Sequence, residues 1–247
     1  MRVPRPFFVD VHSHVVPSGD DGAATVSEGR ALCGSAADHG TRLLFATPHV
    51  WPHLTMPPAR ETQVRRAFAA VAAGAGLELR LGFELTPSPA LLTEDPRRYR
   101  LEGTQAVLME VPFVGSADGL VRLAEHADSQ GLQPVIAHPE RSEAGLADPE
   151  LARRLAARGW LVQVNATSLL GRHGPACEAL SWRLLEDGSA ALVASDGHRS
   201  TRPAHLDAAY REAETRLGEG AARPLFDGTA LGLASERAPS RAATRGV

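Results

Sequence analysis

Cysteine is scarce: Cys33 and Cys177 are the only two in 247 residues. Two cysteines cannot form a disulfide framework, and sparse cysteine fits a reducing compartment. Long apolar runs are also missing. Nothing approaches the roughly 18 residues a membrane helix needs. The stretch before Asp10 is too short for the apolar core of a signal peptide. No basic stripe or tail of consequence occurs, and the formal net charge is −3, so no nucleic-acid partner is indicated. Hydrophobic residues make up 43% of the chain, enough for a sizeable core. The expectation is a soluble, cytoplasmic globular protein without membrane insertion.

Histidine is what the chain has in quantity, with ten. They matter because of where they fall in a repeating pattern. Short apolar runs at 7–11, 42–46, 78–83, 106–111, 134–137, 160–164 and 191–194 read as strands. Helical spacing fills about 25–40, 58–73, 118–130, 149–158, 175–187 and 203–217. Thr25 followed by Glu28 forms a capping box, and Gly131, Gly159 and Gly188 suit left-handed C-terminal caps. Strands alternating with helices imply a parallel sheet with right-handed crossovers. We therefore expect one α/β domain over 1–235, a distorted TIM-like (β/α)7 barrel. Residues 236–247 read as a disordered tail.

Polar residues stand where the strands end. Strand one runs into His12-Ser13-His14, strand two into His49, strand three into Glu84, and strand four into Glu110. Strand five leads to His138, strand six to Asn165, and strand seven to Asp196-Gly197-His198. In a parallel barrel all C-terminal strand ends share one mouth, so these side chains would converge. His12 and His14 lie two residues apart, on one side of a strand. With Asp21 added, the mouth holds five histidines and four carboxylates, a set that would repel or go unsatisfied without cations. Mixed nitrogen and oxygen donors suit manganese, iron or zinc and argue against a thiolate site. Cys177 and Arg183 have the Cys-x5-Arg spacing of cysteine-dependent phosphatases. The residues between them are helical in pattern, however, rather than a phosphate-cradling loop.

The stretch Asp10-Val11-His12-Ser13-His14, with Pro17 and Asp20-Asp21-Gly22, resembles the opening motif of the PHP (polymerase and histidinol phosphatase) superfamily. The likeness continues in Ala46-Thr47-Pro48-His49, Gly82-Phe83-Glu84, Leu108-Met109-Glu110, Ala137-His138-Pro139-Glu140-Arg141, Gln163-Val164-Asn165 and Ser195-Asp196-Gly197-His198. It is most similar to the bacterial capsule-type (CpsB/CapC/YwqE-like) protein-tyrosine phosphatases. The resemblance implies the PHP barrel fold and three divalent ions, Mn2+ first among them. One ion would take His12, His14, Glu84 and Asp196, with Glu84 bridging. A second would take Glu84, Glu110 and His138, and a third Asp21, His49 and His198. Asp21 is preferred to Asp20 because it stands at the family's spacing from His12, and Asp10 would orient a ligand histidine or its neighbourhood. Alanine is usual in the family where Gly197 stands, and the proline-rich loop over 50–58 departs from its usual polar stretch.

Three divalent ions, four carboxylates and a bridging hydroxide would leave the cluster near +1, ready for a phosphate dianion. The implied reaction is in-line attack by that hydroxide on phosphorus. Arg141 is the first candidate to grip phosphate, and Arg202, ahead of Arg199, the second. The implied substrate is a phosphotyrosyl protein, plausibly a bacterial tyrosine kinase controlling polysaccharide export. Rival readings are a small-molecule phosphatase or phosphodiesterase on the same scaffold, and a non-catalytic metal-binding regulator. Of the other histidines, His39 reads as a helix end, His126 and His205 as helical surface, and His53 and His173 as loops near the mouth.

Overall fold

A computed structural model describes residues 7–233. The tail expected over 236–247 lies outside the described residues. Nine parallel strands form two sheets. One contains β1 (Phe8–Ser13), β2 (Thr41–Ala46) and β4 (Glu78–Leu81). The other runs β3 (His49–Val50), β5 (Glu84–Leu85), β6 (Ala106–Glu110), β7 (Gln133–Ala137), β8 (Leu161–Asn165) and β9 (Leu192–Ala194).

The two sheets are one barrel wall interrupted twice. Pro48, which has no N–H to give a ladder, separates β2 from its continuation β3. Gly82 and Phe83 separate β4 from β5, so the strand expected over 78–83 ends at Leu81 and resumes at Glu84. The physical reason is Leu101, whose Cδ2 lies 2.4 Å from where a Cβ on Gly82 would stand. Leu101 N donates to Ala106 O at 2.8 Å and Glu102 N to Leu81 O at 2.9 Å, so this turn fills the gap between β4 and β6. Counting β2–β3 and β4–β5 as single paths leaves seven strands, as the periodicity implies. Asp196 N donating to His12 O (2.9 Å) and His14 N to Gly197 O (2.6 Å) join the first strand to the last. Ser13 and Gly197 form a bridge there.

Along β6, Ala106 and Leu108 alternate inward with Glu110. Along β9, Leu192 and Ala194 do so with Asp196. The apolar members join Val9, Val11, Leu43, Phe45, Val135 and Leu233 in one buried cluster. The barrel is thus oily below and polar at its C-terminal mouth. Outside the wall, Phe8 packs on Tyr210 and Phe226, with ring centroids 5.3 and 6.2 Å away.

The helices are α1 (Val26–Asp38), α2 (Pro58–Ala72), α3 (Asp118–Asp128), α4 (Glu143–Ala147), α5 (Leu151–Ala156), α6 (Ala166–Leu169), α7 (Pro175–Glu186), α8 (Asp207–Leu217) and α9 (Glu219–Phe226). Thr25 Oγ1 caps α1 by accepting from Glu28 N at 3.1 Å. Glu28 returns a carboxylate to Ala24 N (2.8 Å), one residue before the reciprocal bond of an ideal capping box. The helix expected from Pro203 begins only at Asp207. His205, expected on its surface, precedes it, stacked 3.6 Å from His39 with Nε2 2.8 Å from the Ser35 hydroxyl. Helices α4, α6 and α9 are too short or too interrupted to show a period, and α9 contains Pro224. Cys177 lies in α7, whose Arg183 pairs with Glu150, so no phosphate-cradling loop surrounds the thiol. No helix among the described residues is long and apolar enough to cross a membrane.

Candidate metal centre

The mouth gathers the side chains that the strand ends carry. Glu84 Oε2 lies 3.0 Å from His12 Nε2, 3.2 Å from His14 Nε2 and 3.1 Å from His49 Nδ1. Its Oε1 lies 3.0 Å from His138 Nε2. Asp196 Oδ1 is 3.5 Å from both His12 and His14 and 3.4 Å from His198 Nδ1. Asp21 Oδ1 reaches His198 Nε2 at 3.2 Å and His49 Nε2 at 3.5 Å. Three groups have donor atoms close enough to share a cation: His14, Asp21, His49 and His198; His12, His14 and Asp196; His12, Glu84 and His138. Glu110 falls outside these tight groups. Its carboxylate accepts from the Thr86 hydroxyl and lines the same cavity.

These donors fit divalent cations on their own chemistry. Glu84 Oε2 is buried and ringed by three imidazole nitrogens, yet it has no hydrogen-bond partner. His14 Nδ1, His49 Nδ1 and His138 Nδ1 are buried and unpartnered as well. A buried carboxylate oxygen among nitrogens without hydrogen bonds is costly unless cations lie between them.

Electrostatics points the same way. Burial would raise Glu84, but the adjacent His12 and His49 hold it well below the usual carboxylate range. Asp196 is held low in the same manner, burial being outweighed by His12, a hydrogen bond from His14, and His138. Burial, then the Glu84 charge, pushes Glu110 up to about 7. Burial pushes His49 down to about 3. Neighbouring groups with such opposed protonation preferences are characteristic of functional sites.

Support for the donors comes from a hydrogen-bonded chain. Gln163 Oε1 lies 3.0 Å from His12 Nδ1, Gln163 Nε2 donates to Asn165 Oδ1 (2.9 Å), and Asn165 Nδ2 donates to Asp196 Oδ2 (2.8 Å). Gln163 and Asn165 are two apart on β8 and so share one side of the strand, a spacing visible in the sequence, whereas the pairing of Gln163 with His12 is not. Asp10 Oδ1 accepts from His12 N (3.3 Å) and Ser195 N (3.1 Å), fastening the first strand to the last rather than touching an imidazole. The consecutive acids divide their work. The Asp21 side chain is 59% exposed beside His49 and His198, whereas the buried side chain of Asp20 accepts from Gly22 N (3.1 Å) and His49 N (3.0 Å) and lies 3.9 Å from His14 Nδ1. Its Asp-x-Gly turn was the available signal. His138 (φ 37°) and Asp196 (φ 50°) are the non-glycine residues with positive φ among the described residues. Left-handed backbone is unfavourable for both, and here it aims side chains into the mouth.

A cavity of about 410 Å³ opens over the donors. Arg141 and Arg202 stand at its edge. Arg141 Nη1 donates to Asp196 Oδ2 at 2.7 Å, and Arg202 Nη2 lies 3.6 Å from Asp196 Oδ1 and touches His198 Nδ1. Arg199 turns away, donating to Asp21 O. His53 lines the cavity beside Trp51, while His173 Nε2 lies 2.8 Å from the Thr167 hydroxyl outside the cavity lining.

A parallel α/β barrel with a histidine–carboxylate cluster at its mouth defines the class: a metal-site barrel of the PHP type. Residues 8–231 match the family described as Capsular polysaccharide synthesis, CpsB/CapC, and the chain belongs to that family. It is 31% identical to the tyrosine-protein phosphatase YwqE of Bacillus subtilis over 85% of either chain. It is also 29% identical to the putative tyrosine-protein phosphatase CapC of Staphylococcus aureus, over 86% of this chain and 89% of that one. Among solved structures, it superposes with a TM-score of 0.79 and 28% identity on a chain from the work on YwqE of Bacillus subtilis and CpsB of Streptococcus pneumoniae. The match covers 93% of this chain and 95% of that one. Those proteins are described as metal-dependent tyrosine phosphatases.

Proposed function

We propose that this protein is a metal-dependent phosphohydrolase that removes phosphate from tyrosine side chains of a partner protein. The observation that carries the reading is the ring of nitrogen and oxygen donors around Glu84, at the floor of a cavity edged by two arginines. Its full-length likeness to YwqE supports the substrate class. The proposed ligands are His12, His14, Asp21, His49, Glu84, Glu110, His138, Asp196 and His198. They would hold three divalent ions, Mn2+ foremost, with iron or zinc compatible with the same donors. Bound ions would lower the pKa of water and neutralise charge on the transferring phosphoryl group.

The chain's own residues do the rest. Gln163 fixes the His12 ring through Nδ1, leaving Nε2 to face the centre. Arg141 and Arg202 offer planar forks to phosphate oxygens from the cavity edge. A tyrosinate leaving group, with a pKa of about 10, departs without a dedicated acid.

The partner we propose is a bacterial tyrosine kinase of polysaccharide export, in keeping with the family's description. Phosphate release from phosphotyrosyl peptides with added Mn2+ is the direct test. Inert peptides alongside rapid turnover of histidinol phosphate or a sugar phosphate would refute the substrate and leave the hydrolytic site standing. A non-catalytic regulator would turn over neither.

A further inference from the structure

Two aromatic side chains stand at the cavity, each stacked on a different proposed ligand. The Trp51 ring lies 4.3 Å from the His49 ring at 25°, and the Phe113 ring 5.4 Å from His138 at 12°. His49 and His138 approach the two different oxygens of Glu84, so the rings back the centre on its two flanks. Both line the cavity. The Arg141 guanidinium carbon also lies 4.8 Å over the Phe113 ring, placing an aromatic face beside the arginine that edges the cavity.

Neither ring sits on loose chain. Leu54 N donates to Trp51 O (3.0 Å), and Arg60 clamps the loop by donating to Leu54 O (2.6 Å), Thr55 O (3.1 Å), His49 O (3.0 Å) and Ser18 O (3.2 Å). Glu143 N donates to Phe113 O (3.0 Å), and Gly115 N to the Glu143 carboxylate (3.1 Å). Yet Phe113 is 44% exposed. The large hydrophobics exposed among the described residues are Phe113, Val114 and Leu146, the last on the helix that Glu143 opens. Of the three, Phe113 lines the cavity; Val114 follows it in the chain, and Leu146 lies on the helix whose first residue binds the Phe113 carbonyl. Phe113 thus packs part of its surface on His138 and Arg141 and leaves the rest open to the cavity.

We propose that Trp51 and Phe113 determine leaving-group specificity, receiving the planar ring of an aryl phosphate while the arginines hold its phosphate. This rests on the phosphotyrosine reading and deepens it. The Trp51 ring also stacks with His53 at 5.2 Å, so it offers its edge, and that edge contact together with burial of the exposed Phe113 surface favours a phenolic over an aliphatic ester. The rings act on binding and positioning.

The test uses full-length, Mn2+-loaded protein and two competitive probes, phenylphosphonate and methylphosphonate, with binding measured by calorimetry. Wild type should bind the phenyl compound about tenfold more tightly. Phe113→Ala and Trp51→Ala should each pull that ratio several-fold toward one, with Phe113→Leu intermediate and Phe113→Tyr restoring it. Metal content measured on the same samples should not change with the Phe113 variants. A wild type without phenyl preference, or a ratio unmoved in every variant, overturns the assignment. Loss of phosphotyrosyl turnover in wild type is a separate failure, since it removes the reading beneath the proposal.

Discussion

Glu84 is fully buried, with imidazole nitrogens near both carboxylate oxygens, so it should tolerate change worse than any other residue of the centre. Glu84→Gln keeps its shape and removes its charge. Phosphate release should fall by about 10²-fold or more, with fewer ions retained per chain by elemental analysis. Unchanged metal content would detach Glu84 from the centre. Arg141 gives a different signature. Arg141→Lys keeps the charge but loses the planar fork, so kcat/KM should fall about tenfold or more while bound metal stays constant. Metal loss in that variant would show instead that Arg141 acts by holding Asp196. Cys33 is fully buried, and burial pushes its thiol up to about 12. A folded value raised above the unfolded value of about 8.5 means the stabilising contribution is complete below that pH and is lost as pH rises past it. Urea midpoints should therefore fall between pH 8 and pH 10, less steeply in Cys33→Ala. Native protein should also resist thiol alkylation at neutral pH without loss of activity.

At the scale of elements, the turn from Asp196 to Arg202 bears most on the centre. A Cβ on Gly197 would meet Ala204 Cα and N at 2.7 Å, although the sequence resemblance has alanine there. The loop from 199 to 204 therefore sits closer to Gly197 than an alanine allows. Gly197→Ala should force that loop outward, carrying Arg202 with it. We expect a stability cost of about 1–3 kcal/mol by denaturant melting and a weaker affinity for phosphate as inhibitor. An unaltered melt would mean that the loop yields freely. Thr25→Ala, which removes a cap remote from the mouth, should cost about 1 kcal/mol and leave turnover intact. Among the elements themselves, strand cores such as 106–110 were legible because a buried parallel strand is a dense apolar run. The interruptions were not. The break at Gly82 depends on Leu101, nineteen positions further along the chain, whose arrival there no local pattern announces.

For the whole molecule, cations should be structural as well as catalytic. Asp10, His12, His14, Glu84, His138 and Asp196 are all buried at or near the C-terminal end of the barrel. Removing ions from such a set leaves like charges and unpaired nitrogens in the barrel. Chelator treatment should stop phosphate release and lower Tm, and added Mn2+ should restore both, with Tm rising as the metal concentration rises. A melt indifferent to chelator would confine the ions to catalysis.

The strand-end histidines and carboxylates, the seven strand paths and the parallel barrel they imply were determined by the sequence alone. Hydrophobic periodicity places strands, and a parallel barrel brings their C-terminal ends to one rim. The tertiary structure decided which atoms meet: Asp21 against His49 and His198, Gln163 behind His12, and Glu110 apart from the tight groups. It also set the left-handed backbones of His138 and Asp196 and brought Trp51 and Phe113 to one cavity. Each of these depends on contacts between residues far apart in the chain, where neither period nor local propensity carries information.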